Sequence, residues 1–218
     1  MARRKKEAPS VHRANIARAA QMLFERQGVE KTTVDEIAEV ASYGKATLYV
    51  YFANKDEIFF YVVHQHMLEL LTKLKDIIKA EISTAARWYK IYLEICFAIH
   101  DSCKDSSMYF DAMIDEVDVA VDDPDLPLTY REIYATGEGL EKVAAIMMDR
   151  GVELGLIKGS LSYSETAMYF WGAITGIVRM YERKSSYYNQ IGLAESSLSR
   201  VFLGLVNGYL AESEAEHA

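Results

Sequence analysis

The chain has 218 residues, half of them hydrophobic, with 24 Lys+Arg against 32 Asp+Glu and a formal net charge of −8. That supplies apolar material for one large domain, or a small one joined to a larger one, around a real core. No apolar run reaches the ~18 residues of a membrane span, no apolar h-region follows the basic start MARRKKEAPS, and two cysteines make no disulfide framework, so a cytoplasmic protein is expected.

In chain order, SVHRANIARAAQMLFERQG places Ile16, Ala20, Leu23 and Phe24 on one helical face, and Gly28 is set to stop that helix. Thr33 and Glu36 form a capping box that opens a short helix, about Val34 to Ala41. SYGK is a tight turn, and a two-turn helix follows from about Lys45 to Phe52. Asn54 with Glu57 repeats the capping pattern and opens a long helix toward Lys79 through Ile58, Phe59, Val62, Val63 and Leu70. Then come helices over TAARWYKIYLEICFAIHD and SSMYFDAMIDEVDVAV, and a loop at DDPDLPL, which holds two of the three prolines. A long helix over LTYREIYATGEGLEKVAAIMMDRGVELG is weakened at Gly137 and Gly139 and ended by Gly155. A third capping box, Ser162 with Glu165, opens ETAMYFWGAITGIVRMYERK, and the last helix runs from about Leu193 to Leu210. No segment sustains a period-2 pattern, so the fold class is all-α with about nine helices.

The charge is uneven. Residues 1–55 hold ten Lys+Arg and six Asp+Glu, while the remainder holds 14 basic and 26 acidic residues. A basic head on an acidic body points to a polyanion as the head's partner, against the plainer reading of a basic tail with none. Three short helices separated by a glycine stop and the SYGK turn match a helix-turn-helix arrangement. In the third helix Leu48 and Phe52 share a face and should pack on Leu23, Ile37 and Ala38. Thr47, Val50 and Tyr51 then face away, with Tyr49 at the edge, beside Lys45 and Lys55. A helix of this kind fits a DNA major groove, hydroxyls and lysines on phosphate and side chains on base edges.

The segment TTVDEIAEVASYGKATLYVYFANKDEI strongly resembles the DNA-binding signature of TetR-type transcriptional repressors, and IARAAQMLFERQGVEKTTV resembles their first helix. The resemblance covers residues 12 to 60, with weaker support from RGVELGLIKGSLS, which looks like the exit from the family's seventh helix. It implies an all-helical homodimer: a basic flexible tail over 1–9, a helix-turn-helix domain over 10–56, and a ligand-binding and dimerisation domain over 57–218. It implies a pseudo-palindromic double-stranded DNA operator, released when a small-molecule effector binds, and no cofactor. By the same resemblance Thr33 contacts phosphate, Lys45 and Thr47 head the recognition helix, Tyr49 touches backbone and base methyls, and Lys55 meets a phosphate at a helix start. Tyr43, Val50 and Tyr51 complete the DNA-facing set. The chain departs from the family pattern at Ser42 (usually Gly), Gly44 (usually a capping Ser), Ala46 (often Gly) and Val50 (often His or Tyr). Val50 suits an apolar contact such as a thymine methyl.

In the body, aromatic and Met stripes at helical spacing read by default as core, while the resemblance implies that these helices surround a cavity for a mostly apolar effector of drug-like or lipid-like size, with Trp88, Tyr92, Cys96, His100, Phe110, Met113, Met147 and Trp171 as its candidate wall. Cys96, His100 and Cys103 share a helical face. Core cysteines beside a histidine is one reading, and a metal or redox site, short of a fourth ligand, is the other. Asp111, Asp115, Glu116 and Asp118 read as a solvated face or a cation site. Phe170, Ile174, Val178, Leu198, Phe202 and Leu205 form apolar stripes on the last two helices, Gly172 and Gly176 would admit a partner helix, and the resemblance implies that these helices form the dimer interface. The rival functions are activation by the same fold, a helical small-molecule-binding module without DNA, and an enzyme. The last lacks any phosphate-binding glycine loop or H-E-x-x-H motif.

Overall fold

The computed structural model describes residues 8–115, 126–157 and 162–215. Among these the chain forms ten α-helices and no strand: α1 Pro9–Gln27, α2 Val34–Val40, α3 Lys45–Tyr51, α4 Lys55–Ile77, α5 Ala85–Asp105, α6 Ser107–Asp115, α7 Leu128–Glu153, α8 Tyr163–Arg183, α9 Ser185–Gln190 and, after a 3-10 turn at Glu195–Ser197, α10 Leu198–Ala215. They fall into two compact units. One takes Met1–Gln65 with Asp118–Tyr134, the other His66–Val117 with Ala135–Ala218. None of the described helices is long and apolar enough to cross a membrane.

The first unit is built by its stops and caps. Pro9 opens α1, whose Ile16, Ala20, Leu23 and Phe24 are buried, and Gly28 at φ 84° ends it in a conformation that only glycine adopts cheaply. The Thr33 hydroxyl accepts the Glu36 amide at 3.3 Å while the Glu36 carboxylate accepts the Thr33 amide at 2.8 Å, the two halves of the capping box. Glu57 departs from that pattern. Its own amide donates to Asn54 Oδ1 at 2.8 Å, but its carboxylate accepts from the Ala53 amide at 2.7 Å. In the turn between α2 and α3 the left-handed residue is Ser42, at φ 58°, and Gly44 at φ −70° is the N-cap of α3. The replacement of the family's turn glycine therefore leaves the backbone bend in place and adds strain at a serine.

In the second unit α5 packs chiefly on α8. Helix α7 runs unbroken through Gly137 and Gly139. A Cβ on Gly139 would lie 2.7 Å from a Leu71 methyl, so glycine there permits the close approach of α4 to α7. Gly155 ends the α7 region at φ 69°. The C-terminal end differs from the single helix expected from Leu193. Gly192 at φ 81° and an extended Ala194 break the path, and α9, which buries no side chain, is a separate turn that periodicity could not reveal. The expected extension of α6 past Asp115, Glu116 and Asp118 of the acidic run, and most of DDPDLPL lie outside the described residues.

Ser42→Gly should raise the unfolding free energy by about 0.5–1 kcal/mol, the relief of left-handed strain exceeding the added chain entropy. Urea unfolding of the two proteins at equal pH measures it.

Candidate functional site

Helix α3 is seven residues long, too short to persist alone. It is held by Leu48, fully buried, and by Phe52 just past its end, 1% exposed. With that side spent, Thr47, Tyr49 and Val50 point to solvent, and Val50 is 76% exposed. An exposed threonine, tyrosine and valine on consecutive outward positions serve no packing within the chain.

The other residues assigned to DNA have partners within the chain itself. Lys45 pairs with Asp35 at 2.9 Å, which holds its ammonium pKa above the ordinary value. The pair is exposed and so costs little to exchange for a phosphate. The Thr33 hydroxyl donates to Glu36 at 2.8 Å. The Lys55 ammonium donates to the Val29 carbonyl at 2.8 Å, tying the start of α4 to the loop after α1. Tyr43 and Tyr51 both meet His12, the first by a 2.7 Å hydrogen bond to Nδ1, the second with ring centroids 5.1 Å apart. Tyr51 is therefore half-buried rather than turned outward. His12 escaped the sequence reading because it is 31 residues from Tyr43 and lies off the apolar stripe of α1.

Behind this surface sits a polar cluster that sequence reasoning also missed. The Arg13 guanidinium lies 4.9 Å from the Phe52 ring centroid and 4.5 Å from that of Tyr61. It donates to the Thr129 hydroxyl at 2.5 Å and lies 3.6 Å from Glu57 and 3.9 Å from Glu132. Thr129 donates in turn to Glu57 at 3.0 Å, and His64 Nδ1 lies 3.9 Å from Glu132. One cation thus gathers α1, the end of α3, the start of α4 and the first turns of α7.

In the second unit a cavity of about 70 Å³, several times what one water needs, is walled by α4, α5, α7 and α8. Trp88, Tyr92, Met147 and Trp171 line it, together with aliphatic residues such as Leu74, Leu140 and Val143 that a sequence cannot separate from core. Cys96, His100, Phe110 and Met113 do not line it. Phe110 and Met113 sit on α6, which contributes no wall residue. His100 is fully buried with Nε2 2.6 Å from Glu182. Burial pushes the Cys96 thiol up to about 12 and the Cys103 thiol up to about 11, which disfavours the free thiolate at both. Among the described residues no cluster of three or more His, Cys, Asp or Glu could hold a metal ion. Asp111 and Asp115 are bound by Arg179, and Asp111 also by Arg183, in a clamp of α6 on α8.

Residues 16–62 match the family model of the bacterial regulatory proteins, tetR family. The head of the chain thus carries the tetR-family region, and the family match does not extend past it. It is 33% identical over 66 residues to an HTH-type transcriptional regulator of Staphylococcus aureus, a match covering 30% of this chain and only 36% of that protein's length. It is 22% identical over 192 residues to the fatty acid metabolism regulator protein of Bacillus subtilis, covering 88% of this chain and 94% of the relative. The crystal structure of the transcriptional regulator FadR from Bacillus subtilis in complex with stearoyl-CoA superposes with a TM-score of 0.64 at 19% identity, over 89% of this chain and 98% of that one.

Helices α8 and α10 present a different face from the one their apolar stripes indicate. Ile174, Val178, Leu198 and Phe202 are buried inside the single chain, Phe170 and Leu205 are half-buried, and Phe170 and Ile174 line the cavity. The apolar side of each helix is consumed by its own unit. Among the residues α8 leaves outside, Met168, Gly172, Gly176 and Met180 recur one every four, with open space beside both glycines.

His64 makes the Arg13 cluster pH-sensitive. Burial first, and the Arg13 charge second, hold its imidazole below the ordinary value near 6.5. The unfolded chain then binds a proton that the folded chain resists, so this stability is present above the ordinary value and is lost as pH falls below it. The unfolding free energy should drop between about pH 7.5 and 5.5, and His64→Gln should flatten that drop. Urea titrations of both proteins across the range check it.

Proposed function

We propose that this regulator is a repressor that binds a pseudo-palindromic DNA operator as a homodimer, through the head over residues 10–56, and is released by a largely apolar small molecule held in the body. The observation that carries the DNA reading is the division of α3, with Leu48 and Phe52 buried and Thr47, Tyr49 and Val50 outward. A major groove admits such a helix, and Val50 and Tyr49 supply apolar contact suited to thymine methyls. Lys45, Lys55, Thr33 and Tyr43 surround it as backbone contacts, and Tyr51 acts through its ring contact with His12.

The exposed Met168, Gly172, Gly176 and Met180 stripe supports dimerisation through α8, with α10 beside it, because the glycines let a second helix approach closely. Two heads would then present their recognition helices roughly 34–36 Å apart, one turn of DNA.

The cavity supports the effector reading. No charged side chain lines it, and the Trp88 indole and the Tyr92 hydroxyl are already spent on the carbonyls of Met147 and Phe202. A fatty acyl chain fits that chemistry, as the stearoyl-CoA in the FadR relative suggests by likeness of fold. Such a chain exceeds the space present, so its entry must part the walls, with Met147 and Met148 the readiest to yield.

Thr47→Ala and Tyr49→Ala should each weaken operator binding about tenfold or more in a titration at fixed salt, with the urea midpoint unmoved. Unchanged affinity in both would remove α3 from the interface. Gly176→Glu should give a monomer by light scattering and abolish tight operator binding, whereas a persistent dimer would place the interface elsewhere.

A further inference from the structure

The cavity has no means of holding a charge, and a second depression lies against its wall. This groove, of about 350 Å³, runs between α4 and α7 and is lined by Leu71, Lys75 and Ile78 on one side and by Gly139, Lys142 and Val143 on the other. Val143 belongs to both the groove and the cavity. Their remaining walls interleave along the same two helices: Leu74 faces the cavity between Leu71 and Lys75, and Leu140 faces it between Gly139 and Lys142. The cavity has no charged lining residue, whereas the groove has two, and both are lysines.

Neither lysine is used by the fold. Both are exposed, and among the described residues neither ammonium has an ion-pair partner, although Lys73, Lys79, Lys90 and Lys104 nearby in sequence all do. The body of this chain is acidic, with 26 Asp+Glu against 14 Lys+Arg after residue 55. Two uncommitted cations flanking one groove offer an anion two ammonium groups with no carboxylate to displace.

We propose that the effector is an amphiphile with an anionic head, carboxylate or phosphate, whose hydrocarbon part enters the apolar cavity while its head docks between Lys75 and Lys142. Burying the charge in the cavity would strip it of water with no compensating donor, so the head stays in the groove, where ammonium groups form charge-assisted hydrogen bonds with it. The seam between α4 and α7 is the passage. Gly139 keeps it narrow, because its lack of a Cβ lets Leu71 close down on α7. The proposal rests on the apolar-effector reading above and adds the charge, location and recognition of the head.

The test uses the full chain and three ligands of equal tail: dodecanoate, dodecyl phosphate and neutral dodecanol, titrated by tryptophan fluorescence and calorimetry. Wild type should bind at least one anion about tenfold more tightly than dodecanol, with an advantage that shrinks as salt rises. The better of the two anions identifies the head as carboxylate or phosphate. Lys75→Gln/Lys142→Gln should erase the advantage and leave dodecanol binding within about twofold, while Lys75→Arg/Lys142→Arg retains it. If dodecanol binds as well as both anions, or the double glutamine variant keeps its anion affinity, the head site is overturned and the apolar cavity stands. An equal loss for dodecanol and anion makes the lysines merely structural and overturns it too. If none of the three binds wild type, the apolar-effector reading fails and takes this proposal with it.

Discussion

A two-turn helix has no stability of its own in water, and the surface proposed to read DNA depends on burying two side chains. Leu48 and Phe52 anchor α3 to α1 and α2, and that burial decides which residues remain outside. The same Phe52 ring lies against the Arg13 guanidinium, whose other contacts reach α4 and α7. The anchor of the recognition helix and the polar cluster behind it are therefore a single piece of packing. A nearly buried cation among two carboxylates, a hydroxyl and two rings is costly to leave half-satisfied. Its partners must move together or stay together.

The body follows a different rule. Its cavity is walled by hydrocarbon and aromatic faces, and two of its polar atoms, in Trp88 and Tyr92, are satisfied by backbone carbonyls. Charge is kept on the outside, in the Arg179 clamp on Asp111 and Asp115 and in the two lysines of the neighbouring groove. An environment so divided discriminates ligands by the position of their polar end rather than by hydrogen bonds within the cavity.

Much of the head was legible in the sequence. The capping boxes at Thr33 and Ser162, the stop at Gly28 and the i, i+4 pairing of Leu48 with Phe52 are local patterns with local causes, and each takes the expected form. His12 and Arg13 were not legible. Their partners lie 31 and 116 residues away, and nothing in the composition of α1 signals them. In the body, Trp88, Tyr92, Met147 and Trp171 line the cavity while Cys96, His100, Phe110 and Met113 do not. Residues at helical spacing are equally suited to core and to cavity wall until the neighbouring helices are in place.

The sequence by itself determined most of the helices, their capped ends, the basic head on an acidic body and the family signature, because capping, periodicity and charge act within a few residues; α9 and the start of α10 were not among them. The tertiary structure alone decided which face of each helix remains outside. Val178 and Phe202 are apolar and at interface spacing, yet their own chain buries them, and Gly172 and Gly176, with no side chain to bury, are left at the surface. Burial is a competition among all the faces of a chain for one interior, and that competition is settled only when the helices pack.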